Sequence, residues 1–154
     1  MSIRIFITGG TIDKSKPGLP NVGYEKQKSF LREMLTQSRV NIHVAVENLM
    51  NKSSRHITIA DRKLIARKCA KAKEHHIMVT HGTVTMSQTA KFLAKNVKGK
   101  TIVLTGSIVP FKINGSDALF NLGTALVAVQ LLPHGVYVCM NGEIYQYNYR
   151  YYTH

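Results

Sequence analysis

The chain reads as an α/β protein built on a parallel sheet with helices on both faces. Three observations predict this. Short apolar runs alternate with amphipathic stretches from one end of the chain to the other. The runs lack the polar alternation of a half-exposed strand, so each strand is expected to be covered on both sides. The connections between runs are long enough to hold the crossover helix that parallel neighbours need.

Taken in order, the first strand is expected at Ile3–Thr8, which leads into the Gly9-Gly10 turn. An amphipathic stretch predicts a helix over Gln27–Gln37, and the second strand follows at Ile42–Met50. The next helix is expected over Ile59–Glu74. Thr58 stands at its start and Asp61 three residues later, a variant of the capping box. Ile77–Thr80 reads as the third strand, Met86–Asn96 as a helix, Thr101–Thr105 as the fourth strand, Ser116–Leu132 as the last helix and Val136–Met140 as the fifth strand.

No repeat, low-complexity tract or linker interrupts the 154 residues, so residues 1–154 are expected to form a single domain. The opening "MSIRIFITGG" carries one arginine and a short apolar run; it is read as a mature first strand and not as a secretion signal. No stretch approaches the roughly 18 apolar residues of a membrane span. Cys69 and Cys139 are far apart in apolar contexts and read as buried free thiols, which fits a reducing cytoplasm.

Lysine and arginine total 21 against 8 acidic residues, for a formal charge of +13. Such an excess raises nucleic acid or an anionic surface as a partner. The distribution argues against specific nucleic-acid binding: Lys63, Arg67 and Lys71 form one i, i+4 line on a predicted helix, the remaining basic residues are scattered, and no nucleic-acid motif accompanies them. Seven histidines include one close pair, His75-His76, with no ligand set at useful spacing, so no metal site is expected.

In a parallel sheet the functional loops follow the strands. Here they are "TGGTID", "NLMNKSS", "THGTVT" and "TGSIVP", and three of the four set Thr or Ser beside Gly. The first lacks both the G-x-G-x-x-G and the G-x-x-x-x-G-K-[ST] pattern, which excludes a dinucleotide or P-loop reading and predicts no cofactor. A threonine hydroxyl becomes a nucleophile when a neighbour accepts its proton, and flanking glycines let backbone N–H groups approach a developing oxyanion. The bland reading is that these hydroxyls only satisfy strand-end backbone groups.

In combination, "ITGGTID", "VTHGTVTM", "GKTIVLTGSIVP", "GSDALFNLGTAL" and "GVYVCMNGEI" resemble, in order and spacing, the N-terminal domain of bacterial-type L-asparaginases. The resemblance runs through Ile144, and no counterpart of that family's smaller second domain follows. It implies a flavodoxin/Rossmann-like fold, a homo-oligomer (dimer or tetramer), and hydrolysis of L-asparagine to L-aspartate and ammonia. It further implies that Thr11 is the nucleophile and that Tyr24 activates it from a mobile loop. By the same resemblance Ser54 and Gly82 contact substrate, and Thr83 and Lys100 form a polar pair that assists proton transfer.

Two positions depart from the family pattern. After His-Gly-Thr the family carries an aspartate that receives the substrate's α-ammonium, and this chain has Val84. His56 likewise stands where the family's Ser-x-Asp-Met segment is acidic. Three consequences are open: impaired asparaginase turnover with ligand binding retained, an amide substrate without a free α-amino group, or replacement of the lost carboxylate by Asp13 or Glu143. The tail "EIYQYNYRYYTH" sets Tyr145, Tyr147, Tyr149 and Tyr151 at strand spacing, which reads as an edge strand at a subunit interface.

Overall fold

The computed structural model describes residues 1–14 and 28–147. Six strands form one sheet in the order β2-β1-β3-β4-β5-β6. They are β1 (Ser2–Gly9), β2 (His43–Lys52), β3 (His76–Thr80), β4 (Thr101–Thr105), β5 (Gly135–Met140) and β6 (Glu143–Gln146). The first five run parallel, with Ile5 of β1 opposite Val46 of β2 on one side and Met78 of β3 on the other. The helices are α1 (Leu31–Gln37), α2 (Ile59–Lys71), α3 (Met86–Asn96) and α4 (Ala118–Leu131).

The two-sided burial expected of the strands has a direct structural form. Ile3, Ile5, Ile7, Met78, Val103 and Cys139 pack on one face with Leu31 and Met34 of α1 and Leu122, Ala125 and Val129 of α4. Their strand neighbours Phe6, Ile77, Val79, Ile102, Leu104 and Val138 pack on the other with Ile65 and Cys69 of α2 and Ala90 and Leu93 of α3. Successive side chains leave a strand on opposite faces, so an unbroken apolar run fills two cores at once.

The expected capping box holds: the Asp61 N–H donates to Thr58 Oγ1 while the Thr58 N–H donates to the Asp61 carboxylate. Burial alone would raise the Asp61 carboxyl, but the Thr58 N–H and Lys52 outweigh it and hold it below its ordinary value. α2 ends at Lys71, short of the expected Glu74, because Ala72 turns extended and the Lys100 ammonium takes up the carbonyls of Ala72 and Glu74.

β6 is antiparallel, an addition to the wholly parallel sheet expected. Asn141 and Gly142 both have positive φ, the two-residue hairpin geometry that Asn-Gly favours, and they fold β6 back along β5. Tyr145 thereby packs against this chain's own core while Tyr147 is 40% exposed. Tyr149 and Tyr151 lie outside the described residues.

Candidate active site

From β1 the chain crosses to β2 on one side, and β3 then lies on the other side of β1, so the order of winding reverses between β1 and β3. In open α/β sheets the crevice beyond the carboxyl ends of the strands at such a reversal is the preferred ligand site. The loops that open there are those of Thr11 and Thr83.

Their backbones touch. Gly10 has φ +94, and a Cβ added there would stand 2.5 Å from the Gly82 nitrogen. One added at Gly82 would stand 2.7 Å from Ser54 Oγ. Three strand-end loops are thus stacked as closely as main chains allow, and only glycine fits at both contacts. Thr11 and Thr83 leave from the residues next to this contact. Both are half-buried, and no hydrogen bond engages either hydroxyl among the described residues.

Neighbouring hydroxyls are employed differently. Thr8 donates to the Thr80 carbonyl at 2.7 Å, Thr105 to the Cys139 carbonyl at 2.8 Å, and Thr85 to the Ser54 carbonyl at 2.7 Å. Those three fit the bland reading of strand-end threonines; Thr11 and Thr83 do not.

His81 fixes the turn that carries Thr83. It is fully buried, its Nδ1 lies 2.7 Å from the Gly82 carbonyl and its Nε2 2.8 Å from Thr89 Oγ1. Burial pushes its pKa down to about 4, so the ring is neutral. The Gly82 carbonyl can only accept, which places the ring proton on Nδ1 and leaves Nε2 to accept from the Thr89 hydroxyl, whose oxygen in turn takes the Arg62 Nε–H at 3.0 Å. A chain of polar groups from α2 through α3 therefore orients the Thr83 turn. Arg62, Thr85 and Thr89 were not singled out by sequence reasoning; Thr85 and Thr89 stand two and six residues beyond the His-Gly-Thr motif.

Ser54 reaches the same edge but is only 2% exposed, and its Oγ accepts the Thr85 N–H at 3.3 Å. It holds the turn together and retains one proton to donate. Val84 stands at the tip of that turn and is 54% exposed.

Two sequence expectations are corrected. Lys100 does not accompany Thr83. It precedes β4, at the amino edge of the sheet, where Nζ donates to Ala72 O at 2.6 Å and Glu74 O at 2.9 Å. The Gly-Lys-Thr segment opens a strand, and a strand-opening residue lies at the end of the sheet opposite the loops that follow strands. Asp13 does not replace the lost carboxylate either. It is 1% exposed, its oxygens receive Ser29 Oγ and the Phe30 N–H, and it joins the Thr11 turn to the start of α1. Burial raises its carboxyl, with the two hydrogen bonds opposing. Glu143 is exposed at the start of β6. Tyr24 lies outside the described residues.

Asp117 organises the next loop. Its carboxylate accepts the N–H groups of Ile108 and Val109 and the side-chain amides of Asn121 and Asn141. Burial alone would raise it, but the Val109 and Ile108 N–H groups and Asn141 outweigh that and hold it below the usual carboxylate range. Among the described residues no group of His, Cys, Asp and Glu is placed to hold a metal ion.

Residues 2–154 match the family described as asparaginase, N-terminal. Probable L-asparaginase 4 of Schizosaccharomyces pombe is 30% identical over 161 residues, spanning 93% of this chain and 44% of that relative. L-asparaginase 2 of Bacillus subtilis is 32% identical, spanning 93% and 41%. The structure of the thermostable L-asparaginase from Thermococcus kodakarensis superposes with a TM-score of 0.82 at 26% identity, over 96% of this chain and 46% of that one. The chain spans less than half the length of these relatives. The family match over residues 2–154, the relatives of 30% identity and more, and the superposed fold place the chain in the asparaginase family, over the region that forms the family's N-terminal domain.

Proposed function

We propose that the protein is an amidohydrolase that cleaves L-asparagine to L-aspartate and ammonia, with Thr11 as nucleophile. The observation that carries this reading is the pair of half-buried hydroxyls, Thr11 and Thr83, which engage no partner among the described residues and flank the Gly10–Gly82 contact at the winding reversal. Thr11 Oγ would attack the side-chain amide carbon while losing its proton to a base, a role the resemblance gives to Tyr24. The amide nitrogen would leave as ammonia on gaining a proton. Water oriented by Thr83 would then hydrolyse the threonyl ester, releasing the acid and restoring the hydroxyl. The relatives' printed names support asparagine as substrate.

A second reading rests on Val84. An exposed valine at the turn gives an α-ammonium no anionic partner, which favours an amide whose α-nitrogen is acylated or absent. Ammonia release from asparagine, glutamine and N-acetylasparagine separates the two. A third outcome, thermal stabilisation by aspartate with no turnover of any amide, would mark a binding protein that keeps the pocket. Thr11→Val tests the nucleophile: it should abolish ammonia release with the fold intact, and unchanged release would refute the assignment.

Residues 1–154 are taken as a single asparaginase N-terminal-like domain, supported by one sheet with a core on each face. A cytoplasmic location is supported by two buried free thiols, with Cys69 pushed up to about 12 by burial and so unreactive. A homo-oligomer is supported by α4, which contains no charged residue and exposes Phe120, Val127 and Leu131. A helix without charge that exposes three large apolar side chains on one face gains by covering that face.

A further inference from the structure

The basic line Lys63, Arg67, Lys71 on α2 has no part in the amide site. The fold divides it. Arg67 and Lys71 border a cavity of about 520 Å³ between α2 and the outer part of the sheet, and Lys63 does not. The cavity lies toward the amino ends of the strands, at the far end of β1 from Thr11.

Its apolar floor is formed by the half-buried Leu64 and Ala72; Phe6 beneath them is 1% exposed, with the Arg4 guanidinium 6.0 Å over its ring. Around that floor stand five cations, Arg4, Arg67, Lys68, Lys71 and Lys73, with one carboxylate, Glu47. The acids are already taken: Lys68 Nζ meets Glu47 at 2.5 Å, and Arg4 is held by Glu74 at 3.0 Å. Arg67, Lys71 and Lys73 have no acidic partner among the described residues. Gathering unpaired like charges around a concavity costs free energy and focuses a positive potential into it. The end of a helix adds negative potential of its own; Lys100 donates to the Ala72 and Glu74 carbonyls just past α2 and adds a further cation at that end.

We infer that this cleft binds a nucleoside polyphosphate, with its ring on the Leu64–Ala72 floor and its phosphates among Arg67, Lys71 and Lys73. The volume lies within the range of small-molecule sites, and an apolar floor with a cationic rim matches a ligand that is part ring and part polyanion. Guanidinium and ammonium groups are the usual phosphate donors.

The test is calorimetric titration of the full chain with ATP, inorganic triphosphate and a single-stranded oligonucleotide at near-physiological salt. The expected result is saturable one-to-one ATP binding, weakened about tenfold by Arg67→Ala and by Lys71→Ala and changed less than about twofold by Lys63→Ala. Alanine suits these exposed helix positions, and circular dichroism confirms that each variant is folded. Absence of ATP binding would overturn the inference. So would equal weakening by Lys63→Ala, which marks a diffuse surface field. Triphosphate binding as tightly as ATP would remove the role of the floor, and an oligonucleotide preferred over ATP would make the cleft part of a nucleic-acid surface.

Discussion

Ser54 and Thr85 hold each other by two hydrogen bonds in opposite directions: the Thr85 N–H donates to Ser54 Oγ, and the Thr85 hydroxyl donates to the Ser54 carbonyl. The pair ties the loop after β2 to the loop after β3 and so sets the position of Thr83, two residues upstream. Thr85→Val should cost about 1 kcal/mol of stability in urea unfolding and reduce ammonia release more than that loss of folded protein explains. Thr85→Ser should restore both. Full activity in a folded Thr85→Val protein would show that the tie does not matter to the site.

Lys100 caps α2 at the edge of the sheet remote from Thr11. Lys100→Met should therefore lower stability by about 2 kcal/mol while leaving kcat per folded molecule unchanged. A large loss of kcat without a loss of stability would reinstate the lysine as a partner in proton transfer.

Val84 is 54% exposed and precedes the first turn of α3. A carboxylate there remains solvated and lies near the positive end of the helix dipole, so Val84→Asp should leave stability nearly unchanged. If the missing carboxylate is what limits asparagine use, kcat/KM for asparagine should rise roughly ten- to several-hundred-fold, mostly through KM. No gain in a folded variant would favour a substrate lacking the α-ammonium.

His81 gives the fold a pH dependence of definite sign. Its folded pKa, about 4, lies below the ordinary 6.5, so the unfolded chain binds the proton more readily. Stability from this group is complete above about pH 6.5 and is lost as pH falls toward 4. At 1.36 kcal/mol per unit that is about 3 kcal/mol. The lowered carboxyls of Asp61 and Asp117 lose their contributions only below their ordinary 3.8, outside this window. Asp13, raised by burial, works in the opposite direction as pH rises. Urea midpoints measured from pH 7 to 4 should fall, and His81→Gln should flatten the slope; an unchanged slope would refute the assignment.

The outer face of α4 gives the proposed homo-oligomer its test. Val127→Lys places a charge between Phe120 and Leu131 and should shift sedimentation toward monomer without loss of helix content. An unchanged assembly would move the interface elsewhere.

Much of the fold lies in the chain's local pattern. β1, β3, β4 and β5 are apolar runs that bury both faces, and α2 begins where Thr58 and Asp61 say it should. Even the hairpin to β6 is written locally, in the Asn-Gly of "CMNGEI". The motif residues Thr11, Ser54, Gly82, Thr83 and Val84 all reach the carboxyl edge of the sheet because each follows a strand, and strand direction alone carries them there.

Other features depend on which strands become neighbours. Lys100 sits beside a motif strand, yet the strand points away from the site, and only the sheet shows that its partners are the end of α2. Asp13 is one acid among few in the sequence; the return of Ser29 and Phe30 onto it makes it a structural anchor. The Arg62–Thr89–His81 chain joins two helices to a loop. The line of basic residues on α2 looks uniform in sequence, and the cavity beside Arg67 and Lys71 exists because β1 and β2 lie beneath that half of the helix. Local pattern fixes elements because period and capping act over a few residues; long-range approach fixes burial, pairing and charge environment, since those belong to groups that meet only when the sheet is assembled.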